Sequence, residues 1–192
     1  QVKKYLCKHE YVILTDLRDA FLYSARDTFV EDTFFCALPF AELLERLRAN
    51  PMVREVGLAE RIPLSLGESD TDAEIPGYVP AADENMSVQY NTISPGYFAA
   101  MGIPVKGRAF EARDDSAAGK ALVVNQQFVD HFFGGKDAIG KVVKTRRTDH
   151  TIIGVVPTGK YMRLGEDPTA FMYFAQAQHW DASMVIHLRT KD

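Results

Sequence analysis

Ser87-Val88-Gln89-Tyr90-Asn91-Thr92-Ile93-Ser94-Pro95-Gly96-Tyr97-Phe98-Ala99-Ala100-Met101-Gly102-Ile103-Pro104 changes its pattern halfway along. Its first seven residues alternate as a half-buried strand. Ser94-Pro95 then reads as a cap followed by a proline at the first helical position, and Tyr97-Phe98 as the start of a short helix that Met101 to Pro104 ends. Downstream, Val105 to Phe110 reads as a strand, Glu111 to Gly119 as an acidic loop and Lys120 to Val124 as a buried strand. Asn125 to Phe133 predicts a helix with Phe128, Val129 and Phe132 inward. Lys141 to Lys144 and His150 to Val156 predict paired strands joined by the turn Thr145 to Asp149. After the irregular stretch Gly159 to Pro168, Ala170 to Phe174 and Met184 to Arg189 are strand-like.

Upstream, Ser65 to Asn85 carries Glu68, Asp70, Asp72 and Glu74 in near alternation, with Pro76-Gly77 and Pro80 beyond them. It reads as loops around one short strand and as the best place for a domain boundary. Before it, Tyr11 to Leu17 predicts a buried strand, Arg18 to Asp32 a polar link, and Val53 to Ala59 another strand. Thr33 to Ala49 predicts a helix with Phe40, Leu43, Leu44 and Leu47 on one face. Asp32 or Thr33 would cap it, Pro39 would sit early or kink it, and Asn50-Pro51 stops it. Strand, helix, strand argues for an α/β or α+β layer in which the helix covers a sheet. Residues 1 to 10 are basic and weakly patterned.

The 192 residues suffice for one large domain or two small ones, and 46% hydrophobic with 25% charged is ordinary globular composition. A net charge of −4 and a pI near 5.8 do not supply a basic face for a phosphate backbone, so nucleic acid is not an expected partner. No run approaches the roughly 18 apolar residues that span a bilayer. The start at Gln1, without an initiator Met or signal pattern, and the stop at Asp192 just after a strand-like run, read as a piece of a longer chain. Cys7 and Cys36 form neither a disulfide framework nor a metal motif, and Cys36 falls on the buried stripe of the expected helix.

The motifs that might carry chemistry fail at their decisive positions. Gly135 to Lys141 satisfies GxxxxGK, but Val142 stands where Ser or Thr must hold magnesium, and a helix precedes the run where a strand is needed. Asp70-Thr71-Asp72 opens like a calcium loop, yet Ile75 replaces the sixth-place glycine and Ala81 the twelfth-place carboxylate. It reads as a solvated acidic loop, and Asp114-Asp115 as a charged turn. His9, His131, His150, His179 and His187 show no zinc-ligand spacing, and no GxSxG elbow marks a nucleophile. No catalytic, cofactor-binding or metal-binding residue is therefore expected, and no cofactor. Most aromatics recur at core spacing, while Trp180, between His179 and Asp181, reads as an exposed contact.

The run from Tyr90 to Phe110 closely resembles the extracytoplasmic core domain of MacB/FtsX-like ABC transporter permeases. Val123-Val124-Asn125-Gln126-Gln127-Phe128, Phe132 to Lys141 and Thr151 to Val156 follow in that family's order, with Leu43 to Ala49 and Ile62 to Ser65 upstream. The resemblance covers about residues 41 to 189, and its specificity lies in the order and spacing of several motifs. It departs from the family at Met52, where a glycine is usual, and in residues 1 to 10.

The resemblance implies an α+β fold in two parts: a porter-like α/β subdomain from residues 1–66 and 151–192, and an inserted β-rich, Sabre-like subdomain from 67–150. It further implies a non-catalytic, periplasmic domain of an inner-membrane protein, set between transmembrane helices of the same chain. Its implied partners are an ABC ATPase domain, a second copy in a homodimer, and a periplasmic adaptor or other envelope protein. Cytoplasmic ATP hydrolysis would drive its movement in export or mechanotransmission, which requires both chain ends to leave on one side. The alternatives are a small-molecule or peptide binding module with a cleft between the two parts, and an enzyme, which needs a titratable cluster inside such a cleft.

Overall fold

A computed structural model describes residues 11–15, 19–24, 34–65, 69–115, 117–179 and 184–191, with side chains from Leu43 onward. The first described strands, β1 (Tyr11–Thr15), β2 (Asp19–Ser24) and β3 (Phe34–Pro39), make an antiparallel meander in the order β1-β2-β3. The polar link thus contains a strand, and the expected long helix is cut in two. Its first part is β3, and α1 runs only over Phe40–Ala49. Pro39 explains the division: it has no N–H to give a helix and disfavours helical backbone in the residue before it. Cys36 consequently lies in a strand instead of on a helical stripe. Residues 1–10, the expected caps Asp32 and Thr33, and Trp180 fall outside the described residues.

Next comes β4 (Val53–Ala59), whose antiparallel partner is β12 (Val185–Thr190). Leu43 on α1 is buried, and Leu44 packs against the pair Leu58 and Met184. The middle of the chain supplies β5 (Asp70–Glu74), β6 (Ser87–Ile93), α2 (Tyr97–Met101), β7 (Lys106–Gly107) and β8 (Ala121–Asn125). It continues with α3 (Gln126–Phe133), β9 (Val142–Thr145), β10 (Thr148–Val156) and β11 (Phe171–Ala175).

Strands β11, β8, β10, β9, β5 and β6 follow one another in the sheet, and β6 pairs again with β11 in parallel. The sheet therefore closes on itself as a barrel, which removes its edges. Because side chains alternate along a strand, the barrel sorts them into two cores. Ala73, Val88, Leu122, Val143, Ile152 and Met172, one from each strand, meet inside, with Phe128 and Phe132 of α3 joining them. Ile93, Tyr97, Phe98, Val123, Phe171 and Tyr173 form the second core on the outer face.

Several expectations shift on this frame. The acidic run Asp70 to Glu74 is a strand whose acids face water while Ala73 faces the barrel. Ser94 caps nothing; its Oγ accepts from Leu58 N–H at 2.8 Å, and Gly96 at φ 92° occupies the helix cap. Only Lys106–Gly107 of the expected strand from Val105 to Phe110 pairs, against β10. The GxxxxGK run is a turn between α3 and β9, with Gly135 and Gly140 at positive φ. The expected boundary between residues 150 and 151 falls inside β10, and both β10 and β11 are staves of the barrel.

Candidate functional site

On the barrel's outer face, above the parallel β6–β11 seam, lies a cleft of about 280 Å³. Its floor is Gln89 and Asn91 from β6 with Phe171 and Tyr173 from β11. Three segments wall it in: residues 61–63 after β4, residues 101–104 between α2 and β7, and residues 157–162 after β10. Each is fixed by its own polar contacts. Asn91 clamps the backbone of Arg61, accepting from its N–H at 3.1 Å and donating to its carbonyl at 3.0 Å. Gly102 closes α2 with φ 68°, turning the chain over the cleft. The Glu166 carboxylate accepts from the N–H groups of Tyr161, Met162 and Arg163 at 2.6, 2.8 and 2.9 Å. Burial opposes its charge, but these three donors outweigh burial and hold its pKa below the usual carboxylate range.

Three tyrosines dominate the interior. Tyr161 stacks on Phe171 with centroids 3.8 Å apart and an interplanar angle of 10°. Its hydroxyl accepts from Asn125 Nδ2 at 3.0 Å and from Gly159 N–H at 3.3 Å. Burial raises the pKa of all three, Tyr97 to about 12, so near neutral pH they are hydrogen-bonding hydroxyls and poor proton-transfer groups. Tyr97 is only 2% exposed, lines the cleft, and has no hydrogen-bond partner among the described residues. Arg61 and Lys160 are the charged lining residues. Arg61 Nε donates to Ser69 Oγ at 2.8 Å and lies 3.5 Å from Glu60, while Lys160 Nζ donates to the Glu166 carbonyl.

The barrel's two ends are closed differently. At one, Asn125 starts α3, whose aromatics plug the interior. The Asn125 Oδ1 accepts from Phe128 N–H at 2.9 Å and from Phe171 N–H at 3.0 Å, and Nδ2 also donates to Thr169 O at 2.7 Å. At the other, His150 Nε2 and His179 Nε2 are 2.9 Å apart beneath Arg146, whose guanidinium lies 4.3 Å from the Tyr90 ring centre and 4.7 Å from that of Phe174. The donors order this chain: Arg146 Nη1 reaches His179 Nδ1 at 3.4 Å, so His179 carries its proton on Nε2 and gives it to His150 Nε2. His150 in turn donates from Nδ1 to Thr148 O at 2.9 Å. Desolvation first lowers both imidazoles, His179 to about 3; for His179 the neighbouring His150 comes next, and Arg146 and Lys120 add to the effect on both. A guanidinium on the pair disfavours a bound cation there. No group of three or more metal-ligating side chains occurs among the described residues.

Asp114 is more than a charged turn. It is 4% exposed and accepts two bonds from Arg108, at 2.7 and 2.8 Å, which lower its pKa and anchor the loop after β7. Of the groups missing from the motif reading, only Asn125 had a sequence signal, an Asn between a buried strand and a helix. The histidine pair, Glu166 and the tyrosine cluster join segments distant in sequence.

A mixed sheet closed into a barrel and extended by β4 and β12, with helices packed on it, makes an α+β domain, and no described helix is long and apolar enough to cross a membrane. Residues 27–192 match the MacB-like periplasmic core domain, and the chain belongs to that family, the extracytoplasmic domains of ABC transporter permeases. The fold is shared with the periplasmic region of MacB from Actinobacillus actinomycetemcomitans, with a TM-score of 0.54 and 17% identity over 77% of this chain. This chain spans 63% of that region. It is also shared with the extracellular domain of the noncanonic ABC-type transporter YknZ from Gram-positive bacteria, with a TM-score of 0.53 and 16% identity over 95% of this chain and 84% of that one. None of the curated proteins matches the chain.

Proposed function

We propose that this domain is a non-catalytic coupling element of an ABC transporter, converting movement of transmembrane helices, driven by a cytoplasmic ATPase, into rearrangement of paired extracytoplasmic domains. The observation that carries the reading is the β4–β12 ladder. It ties the last described strand to the first strand of the large sheet, and Lys191 N–H donates to Met52 O at 2.8 Å beyond its end. A displacement entering through the C-terminal end passes directly to β4 and, through Leu44 against Leu58, to α1. The cleft's shifted tyrosines move away from acid–base chemistry at neutral pH, which supports a non-catalytic role.

The same ladder supports two mechanical parts, one built from residues 1–66 with the C-terminal segment and one inserted between them. The ladder between β4 and the barrel strands is a single described pair, Ala59 with Ile93, flanked by hydrogen bonds between Leu58 and Ser94 and by α2 packed on β4. The functional assembly in this reading is a homodimer that meets an envelope partner, such as a periplasmic adaptor, at its outer end.

The test uses the membrane-embedded transporter that carries the domain. Nitroxide labels at Val79→Cys on two copies, an exposed site, should change their separation when ATP is trapped. A flexible Gly-Ser insertion after Thr190 should suppress that change while ATP hydrolysis continues. A separation indifferent to nucleotide, or a change that survives the insertion, would refute the reading.

A further inference from the structure

We infer that the cleft above the β6–β11 seam binds a small apolar carboxylate, with the body on Phe171 and Tyr173 and the carboxylate at Arg61 and Lys160. Three independent features point to this ligand class, and none depends on the transport reading.

The first is size and lining. The volume of about 280 Å³ is nearly twice that of a cavity that takes one benzene, so it suits a body of about a dozen heavy atoms. The stacked Tyr161–Phe171 pair and Ile103 and Pro104 opposite present flat, apolar surfaces. A bare phosphate or sugar would leave these walls without compensation.

The second is Tyr97. Its ring is buried, yet its hydroxyl bonds no described residue and keeps some exposure in the cleft that it lines, a polar tip on an apolar body. An acceptor oxygen on the ligand would satisfy it.

The third is charge. Among the described residues no carboxylate lines the cleft, whereas Arg61 and Lys160 do, in a chain whose net charge is −4. Arg61 is bonded through Nε, leaving its two terminal nitrogens uncommitted among the described residues in a geometry suited to a carboxylate. Glu60, 3.5 Å from that Nε, and Glu166, whose carboxylate feels the Lys160 charge, each offset part of the positive charge, while the Lys160 hydrogen bond itself goes to a neutral carbonyl. An ammonium-bearing ligand would find two cations and no carboxylate among the described lining residues.

Naphthalene-2-carboxylate, naphthalene-2-carboxamide and 2-naphthylmethylammonium probe the site by isothermal titration calorimetry on the 192-residue chain. The carboxylate should bind one site at least about tenfold more tightly than the amide and the ammonium. Arg61→Ala combined with Lys160→Ala should erase the preference over the amide, and Tyr97→Phe should weaken carboxylate binding about threefold or more. Ile103→Trp should fill the cleft and abolish binding. Because Ile103 is partly buried, Met101→Trp at the rim, where Met101 is 39% exposed, provides a second block that the fold tolerates. The inference is overturned if the carboxylate fails to saturate by about 5 mM, if the amide or ammonium binds equally well, if the preference survives the double charge removal, or if binding survives both tryptophans.

Discussion

The Asn125 carboxamide is fully buried and makes four bonds: it caps α3, pins the start of β11, and holds Tyr161 and the Thr169 carbonyl. Asn125→Ala leaves two backbone N–H groups inside without acceptors, so it should lower stability by at least about 2 kcal/mol, measured by denaturant unfolding. A loss within experimental error would mean that water takes over these bonds. The histidine pair makes a sharper claim. At pH 5.5, imidazole nitrogen shifts should still report a neutral His179 protonated on Nε2, and at neutral pH a His150 protonated on Nδ1. A depressed folded-state pKa means that the unfolded chain takes up protons first as pH falls. The His179 contribution is thus complete above about 6.5 and is lost progressively as pH falls toward about 3. His179→Asn should therefore lose less stability than the parent between pH 7 and pH 5; equal losses would sink the assignment.

At the scale of elements, close approach decides more than periodicity does. A Cβ on Gly57 of β4 would overlap the Tyr97 backbone, because α2 rests directly on that strand. Gly57→Ala should cost about 1–3 kcal/mol and displace α2, along with the cleft wall it carries. Unchanged thermal unfolding would show that α2 is free to shift. Local patterning made β4, β6, β8 and β10 legible, since alternation or a short apolar run is a property of the strand itself. The helix reading fails over Phe34–Pro39 because Phe40, Leu43, Leu44 and Leu47 supply a helical stripe that extrapolates backwards, while only Pro39 marks its end. Arg146 and Arg147, at φ 51° and 63°, form a hairpin turn that no Asn-Gly pair announces; the Arg146 guanidinium on Tyr90 and Phe174 holds it from outside the hairpin. The cleft was illegible for the same reason. Tyr97, Tyr161 and Tyr173 come from separate segments, and only the parallel pairing of β6 with β11 brings their supports together.

For the molecule as a whole, the way the sheet closes predicts where it opens. β8 is bonded on both sides, to β10 and β11, and the barrel has no free edge from which to fray. By contrast, β12 pairs with one described strand, and β4 pairs with a barrel strand only at Ala59–Ile93, so few ladder bonds tie them to the barrel although α2 packs on both. Local opening follows such differences in bonding and burial. Native-state hydrogen exchange should therefore resolve two units: the amides of β8, β10 and β11 exchanging only through global unfolding, and those of β4 and β12 exchanging together at lower free energy. The second unit is also the one a transporter would pull, since load entering at the C-terminal end passes through β12 before it meets the barrel. If β12 amides prove as protected as those of β8, the ladder and barrel form one rigid unit and the proposed movement must lie outside the domain.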